Sequence, residues 1–317
     1  VSSRISSLLL ALACLLPAQQ KFVAEEAHMG TVFRITLYGD DAQVALRAAF
    51  DRVADLDAKL SDYKPDSELN RVCRTAFGYA VPVSEDLFRV LKTALQLSAD
   101  SDGAFDVTLG PVIRLWRWKQ VPDPTQIERA LKLVGYRNVL LGQRSVELKL
   151  PGMQLDLGAI AKGYAAEQAL HTLREHGISR ALVAASGDLA IGDAPPEKAG
   201  WTVALETLDE RRVVQLHNTC AGTSGDAEQF VESAGVRYSH IVDPRSGMGL
   251  AKRIGVTVIS ADCMLADALG TAVSVVTAQR GIDAGYALAK KYRAEALIRL
   301  DPVGAAKEDH DHQQDDE

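Results

Sequence analysis

Short β-rich runs at 137–141, 145–150 and 153–157, then at 180–185, 201–206, 212–216, 237–242, 254–259 and 295–300, dominate the second half of this chain. Many are joined by links of hairpin length, too short to hold the crossover helix that a parallel pair needs. That spacing predicts an α+β fold with a largely antiparallel sheet rather than a doubly wound parallel one. A strand is also expected over Met29–Leu37. Helices fill the gaps. Residues 42–60 place Leu46, Phe50, Val53, Leu56 and Leu60 on one apolar face. Residues 85–99 form a second amphipathic helix. Asp123-Pro124-Thr125-Gln126 is a helix start with proline in the first turn, and that helix is expected to stop near Gly135. Further helices are predicted over 159–176, ending at Gly177, and over 262–278 and 281–292. No internal repeat is visible.

The chain has 317 residues, 47% hydrophobic and 24% charged, enough for a sizeable core in one large domain or two closely joined ones. The net charge of −7 and the lack of a basic run argue against a nucleic-acid partner. The N-terminus has the pattern of an export signal over residues 1–18: Arg4, the short apolar run Ile5–Leu16, then Pro17-Ala18, with cleavage after Ala18. Such a run is too short to span a bilayer comfortably. Cys14 leaves two readings open, a lipidated cysteine or a residue inside the apolar run. The folded domain is expected over 21–302. Residues 303–317 form an acidic tail with His310 and His312, expected to be disordered. Cys73, Cys220 and Cys263 are widely spaced and form no zinc pattern, so buried free thiols are expected, with one disulfide open after export.

Leu155-Asp156-Leu157-Gly158-Ala159-Ile160-Ala161-Lys162-Gly163-Tyr164-Ala165 carries the densest chemistry. It places an acid, two glycines and a lysine around a helix start, where free N–H groups favour phosphate. Asp156 can accept hydrogen bonds from a ligand, and Lys162 can neutralise a phosphate. Asp267 and Thr271 stand four apart on an expected helix, so their oxygens share one face, a pairing that suits a hard cation such as Mg²⁺. His240 follows a strand-like run and precedes the turn at Asp243-Pro244. It suits either proton transfer or a binding contact. Thr223-Ser224-Gly225-Asp226 is expected as a loop that lines phosphate or ribose, and Ser186-Gly187-Asp188 as a loop ending a β-run.

In order along the chain, Met29-Gly30-Thr31, Ser61-Asp62-Tyr63, Ser67-Glu68-Leu69-Asn70, Gly103-Ala104-Phe105-Asp106-Val107-Thr108, the LDLGAIAKGYA segment, Ser186-Gly187-Asp188, Thr223-Ser224-Gly225, Tyr238-Ser239-His240-Ile241-Val242-Asp243-Pro244-Arg245 and Ala266-Asp267 with Thr271-Ala272 resemble the segments of the ApbE family. The similarity covers about residues 27 to 300. It implies a T-fold-like α+β architecture with FAD held in a cleft. It implies FAD contacts at Met29, Tyr63, Ala104, Phe105, Asp106, Asp156, Lys162, Thr223 and Ile241, although core packing also accounts for Met29 and Phe105. It implies Mg²⁺ held by Asp267, Thr271 and the main-chain carbonyl of Ala159, with His240 and Asp267 as catalytic residues. Some family members place a second acid where Gly270 stands here, and a glycine where Ser186 stands.

The implied activity is Mg²⁺-dependent transfer of FMN from FAD to a threonine or serine of an acceptor protein, releasing AMP. The acceptor would bear an Asp-x-x-Ser/Thr-Gly-Ala-Ser/Thr motif, and the enzyme would be exported, periplasmic or anchored on the periplasmic side. FAD hydrolysis to FMN and AMP, and non-catalytic flavin binding by a lipoprotein, are the alternatives.

Overall fold

The computed structural model describes residues 20–40, 42–117, 120–208, 210–225 and 230–300. The expected signal over residues 1–18 with Cys14, the acidic tail over 303–317 and Asp226 lie outside the described residues.

The chain opens with a hairpin of β1 (Lys21–His28) and β2 (Thr31–Tyr38), followed by α1 (Ala42–Leu60), α2 (Glu68–Thr75), β3 (Val81–Pro82) and α3 (Glu85–Asp100). Then come α4 (Gly110–Trp116), α5 (Pro124–Leu131), β4 (Val139–Leu141), β5 (Ser145–Leu148) and α6 (Ala161–Glu175). Strands β6 (Ala181–Ala185), β7 (Asp188–Ile191), β8 (Trp201–Thr207), β9 (Glu210–Leu216), β10 (Thr219–Ser224), β11 (Phe230–Ser233), β12 (Val236–Ser239) and β13 (Ile254–Ser260) follow. The chain closes with α7 (Cys263–Arg280), α8 (Ile282–Lys291) and β14 (Glu295–Leu300).

Seven strands form the main sheet in the order β1-β2-β6-β7-β10-β13-β14, and each neighbouring pair is antiparallel. The predicted α+β class with an antiparallel sheet is therefore the observed one. Helices α6 and α7 pack on one face of the sheet, with α1 against α6 and α8 against α7. The side-chain alternation explains the layering. Ala181, Val183 and Ala185 of β6 join the large core beneath the helices, whereas Leu182 turns to the opposite face. There the β8–β9 ribbon covers the sheet through Trp201, Val203 and Leu205. Helix α7 is buried on nearly all sides, as a helix this apolar requires.

Several local expectations are corrected. Met29 is not strand but the first residue of the β1–β2 turn, with φ +51° followed by Gly30 at φ +74°. The α5 helix stops at Leu131 rather than near Gly135. Residues 153–157 alternate like a strand, and Met153, Leu155 and Leu157 are buried, but the segment forms no ladder. Its amides bond elsewhere: Leu155 N–H to Cys73 Sγ (3.3 Å) and Asp156 N–H to the Val107 carbonyl (2.8 Å). Alternation reports burial, while a strand also needs a neighbouring edge. Thr223 and Ser224 lie in central strand β10, not in a loop, and Asp188 starts β7. Cys220 and Cys263 are joined in a disulfide, so only Cys73 is a free buried thiol among the described cysteines.

Candidate active site

The core of the site is the meeting of α6, β7 and α7. Lys162, in the first turn of α6, donates from Nζ to the Gly158 carbonyl at 2.7 Å. The same ammonium lies 3.4 Å from Asp188 Oδ2 and 3.5 Å from Asp267 Oδ1. The backbone N–H of Gly163 donates to Asp267 Oδ2 at 2.9 Å. Sequence reasoning placed Asp156, Lys162 and Asp267 in the site, and here one of them, Lys162, bridges α6 to α7 directly.

Glycines make this approach possible. A Cβ on Gly163 would lie 2.2 Å from the Cys263 carbonyl oxygen and 2.8 Å from Asp267 Cβ. One on Gly222 of β10 would lie 2.6 Å from the Ala266 carbonyl. Gly187 sits under Thr223, whose N–H donates to the Gly187 carbonyl at 3.0 Å. Gly270 faces Ser224, with its Cβ direction 3.0 Å from Ser224 Cβ, so a larger residue there would require a small shift.

The charges are tightly coupled. Burial disfavours the Lys162 ammonium, but Asp267 and Asp188 outweigh burial and raise its pKa above the ordinary lysine range. Burial, reinforced by Asp267, pushes the Asp188 carboxyl well above the ordinary range despite the nearby ammonium. Two carboxyl groups thus share one ammonium, and their oxygens suit a divalent cation. Thr271 lies one helical turn beyond Asp267 and is half-buried, as is Ala159. Among the described residues no cluster of three or more His, Cys, Asp or Glu forms a metal cage. One carboxylate with a hydroxyl and a carbonyl is instead the sparse oxygen set that suits Mg²⁺, which retains positions for water and phosphate.

A second group flanks this one. Asp156 accepts from the Gly158 N–H at 2.8 Å and pairs with Arg117 at 3.3 Å. Arg117 also pairs closely with Asp62, and its guanidinium lies 3.9 Å from the centroid of the Tyr63 ring. Tyr63 itself is 71% exposed, a flat surface at the rim of a cavity of about 360 Å³ lined by Asp62, Asn70, Arg74, Arg114 and Gln154. Asn70 holds the loop in place by donating to the Asp62 and Lys64 carbonyls. Burial, with the Asp62 charge, raises the Asp156 carboxyl pKa against the pull of Gly158 and Arg117.

The remaining expected contacts are spread more widely. Asp106 is fully engaged within the fold: Oδ1 accepts from Thr108 N–H and Oγ1, and Oδ2 from Tyr136 N–H. Ala104, Phe105 and Ile241 are buried and Met29 is half-buried, all within the main core. Thr223 Oγ1 shares a hydrogen bond with Thr257 at 3.0 Å. His240 is exposed, one residue past β12. Arg117 and Arg114 were missed by sequence reasoning, and Asp188 was singled out only as part of a loop. Arg117 had no motif to mark it. Asp188 had one signal, an acid after two small residues at a β-run's end.

A sequence model of the ApbE family matches residues 29–298. The chain is 30% identical over 294 residues to the FAD:protein FMN transferase of Vibrio cholerae serotype O1, with 88% of each chain covered. It is 31% identical over 278 residues to that of Escherichia coli strain K12, covering 82% of this chain and 79% of the relative. Among solved structures, the apo flavinyl transferase ApbE of Pseudomonas stutzeri superposes with a TM-score of 0.80 at 29% identity, covering 90% of this chain and 92% of that one. The Thermotoga maritima ApbE protein superposes with a TM-score of 0.81 at 29% identity, over 89% and 94% of the two chains.

Proposed function

The chain belongs to the ApbE family, and on that premise we propose that it is a Mg²⁺-dependent FAD:protein FMN transferase. The observation that carries the proposal is the Lys162–Asp188–Asp267 cluster, a buried site that brings a cation suited to phosphate together with carboxyl oxygens suited to a metal. Asp267, Thr271 and the Ala159 carbonyl would hold Mg²⁺. Bound there, the ion would supply charge neutralisation for a pyrophosphate.

The chain's own residues do the rest. Lys162 offsets phosphate charge from the α6 side. Tyr63, backed by Arg117, offers a flat face for an aromatic ring, and Asp156 accepts hydrogen bonds nearby. The acceptor hydroxyl oxygen bonds to the phosphorus next to riboflavin. The bond from that phosphorus to the bridging oxygen breaks, and its electron pair leaves with AMP. The hydroxyl proton passes to the exposed His240 imidazole. FMN remains on the acceptor as a phosphoester. Little covalent work falls to the protein, so positioning and charge neutralisation carry most of the rate.

The acceptor in this proposal is an exported or membrane-bound flavoprotein with an Asp-x-x-Ser/Thr-Gly-Ala-Ser/Thr motif. The enzyme works on the periplasmic side, free or anchored through Cys14. The Cys220–Cys263 disulfide supports an oxidising compartment.

The test incubates the chain from Gln19 with FAD, Mg²⁺ and a peptide bearing Asp-x-x-Thr-Gly-Ala-Thr. An FMN-sized mass gain on the peptide with matching AMP is expected. AMP without the adduct, on this and on longer acceptors, would replace the transferase by a FAD pyrophosphatase.

A further inference from the structure

The Cys220–Cys263 disulfide lies four residues before Asp267 on α7 and three residues before Thr223 on β10. Both half-cystines are buried, at 5% and 4% exposure. We propose that this bond is a positioning cross-link for the metal site, fixing the first turn of α7, and so the Asp267 carboxylate, against β10. The proposal rests on the reading of Asp267 as a metal ligand.

Four independent features converge on that same turn. Asp262 caps it, accepting from the Leu265 N–H at 2.9 Å. Glu167 of α6 accepts a hydrogen bond from the Cys263 N–H. Gly163 of α6 meets the Cys263 carbonyl and Asp267 at a distance that excludes any Cβ. Gly222 of β10 meets the Ala266 carbonyl and the Asp267 amide just as closely. The turn is therefore gripped from α6 and from β10, and the β10 side carries the only covalent link between described elements.

The grip matters because of what surrounds Asp267. Its neighbour Asp188 is also buried, and a single ammonium stands between them. The Asp267 carboxylate is held by the Lys162 ammonium and the Gly163 N–H, both of α6, so its position relative to β10 depends on how the first turn of α7 is seated. In an unlinked chain, non-covalent packing alone would oppose displacement of the first turn of α7 from β10. The disulfide opposes the displacement without adding charge or a donor to the site. Groups that orient a metal ligand rather than touch the ion typically change metal affinity by roughly 10–100-fold when lost. A cross-link that served stability alone would lower the melting temperature and leave metal affinity unchanged.

The experiment compares wild type with the C220V/C263A pair, which replaces the bond by apolar groups of similar bulk. Mn²⁺ serves as the probe, with saturating FAD, and binding is followed by loss of the free-ion paramagnetic resonance signal. Thermal melts and circular dichroism are recorded in parallel. Roughly tenfold weaker Mn²⁺ binding in a folded variant is expected. FMN transfer should show the same pattern, with a raised Mg²⁺ requirement and nearly unchanged turnover at saturating Mg²⁺.

Equal Mn²⁺ affinity in variant and wild type would overturn the positioning role and leave the proposed activity standing. No Mn²⁺ binding by wild type would overturn both the positioning role and Asp267 as a ligand. If the pair fails to fold, wild type reduced by a dithiol supplies the same comparison. Two electrons and two protons from the dithiol yield two thiols and a cyclic disulfide, and thiol counting fixes the reduced fraction. Mn²⁺ affinity that stays constant as that fraction grows would overturn the proposal.

Discussion

The Gly163 amide donates to Asp267 Oδ2 at 2.9 Å, and this bond ties the LDLGAIAKGYA segment to the helix that carries the proposed metal ligand. The two residues are distant in sequence, and the contact depends on the missing Cβ of Gly163. Gly163→Ala would press a methyl group into the Cys263 carbonyl at 2.2 Å. The obstacle is backbone, so α6 and α7 must part. A loss of about 1–3 kcal/mol in stability is expected, read as a lower urea midpoint at unchanged m-value. A midpoint equal to wild type would show that the two helices yield freely there.

Lys162→Ala leaves Asp188 and Asp267 facing each other with no ammonium between them. FAD affinity should fall by about tenfold or more, while riboflavin, which has no phosphate, should bind about as before. Flavin fluorescence titrations of both ligands make the comparison. An equal loss for the two would detach Lys162 from the phosphates.

Asp267→Ala removes the carboxylate of the proposed metal ligand. AMP release from FAD in the presence of acceptor should fall by about 10²–10³-fold, the usual scale for losing one preorganised electrostatic group. The effect should appear at saturating FAD as well as at low FAD. An unchanged rate would take Asp267 out of the mechanism.

Asp86 gives the fold a pH dependence away from the site. Burial disfavours its charge, but hydrogen bonds from Arg52, Lys59 and Tyr164 outweigh burial and hold its carboxyl well below the usual carboxylate range. A lowered folded pKa stabilises the native state above the unfolded value near 3.8 and loses that contribution as pH falls below it. Asp86→Asn should therefore cost about 2–4 kcal/mol at pH 7. The difference from wild type should shrink steadily below about pH 4. Urea midpoints from pH 3 to pH 7 test this, and a gap that is constant across that range would refute the assignment.

Much of the fold was legible from local pattern. The α1 face through Leu46, Phe50, Val53, Leu56 and Leu60 is buried throughout, and Gly177 ends α6 with φ +80°. Both depend on neighbours in sequence: a helical period in one case, and a left-handed turn that glycine accepts readily in the other. The segment 153–157 was misjudged because its alternation reflects burial on one side, whereas a ladder needs an edge supplied from elsewhere in the chain. Strand β10 was taken for a loop at Thr223 and Ser224 because its glycine and hydroxyls carry the composition of a turn. Its true environment is the pairing with β7 and β13.

The site divides in the same way. Asp156, Lys162, Asp267 and Thr271 could be proposed as site residues from the sequence because each sits in a short segment whose chemistry and family likeness are contiguous. The α+β class was legible as well, because many of the links between strands are too short to hold a crossover helix. Tertiary structure alone decided that Asp188 shares the Lys162 ammonium with Asp267, that Arg117 joins Asp62, Asp156 and the face of Tyr63, and that Cys220 pairs with Cys263. Each of those is a contact between segments far apart in the chain. Periodicity and capping act over a few residues, whereas these contacts exist only once the sheet order has brought β7, β10, α6 and α7 together.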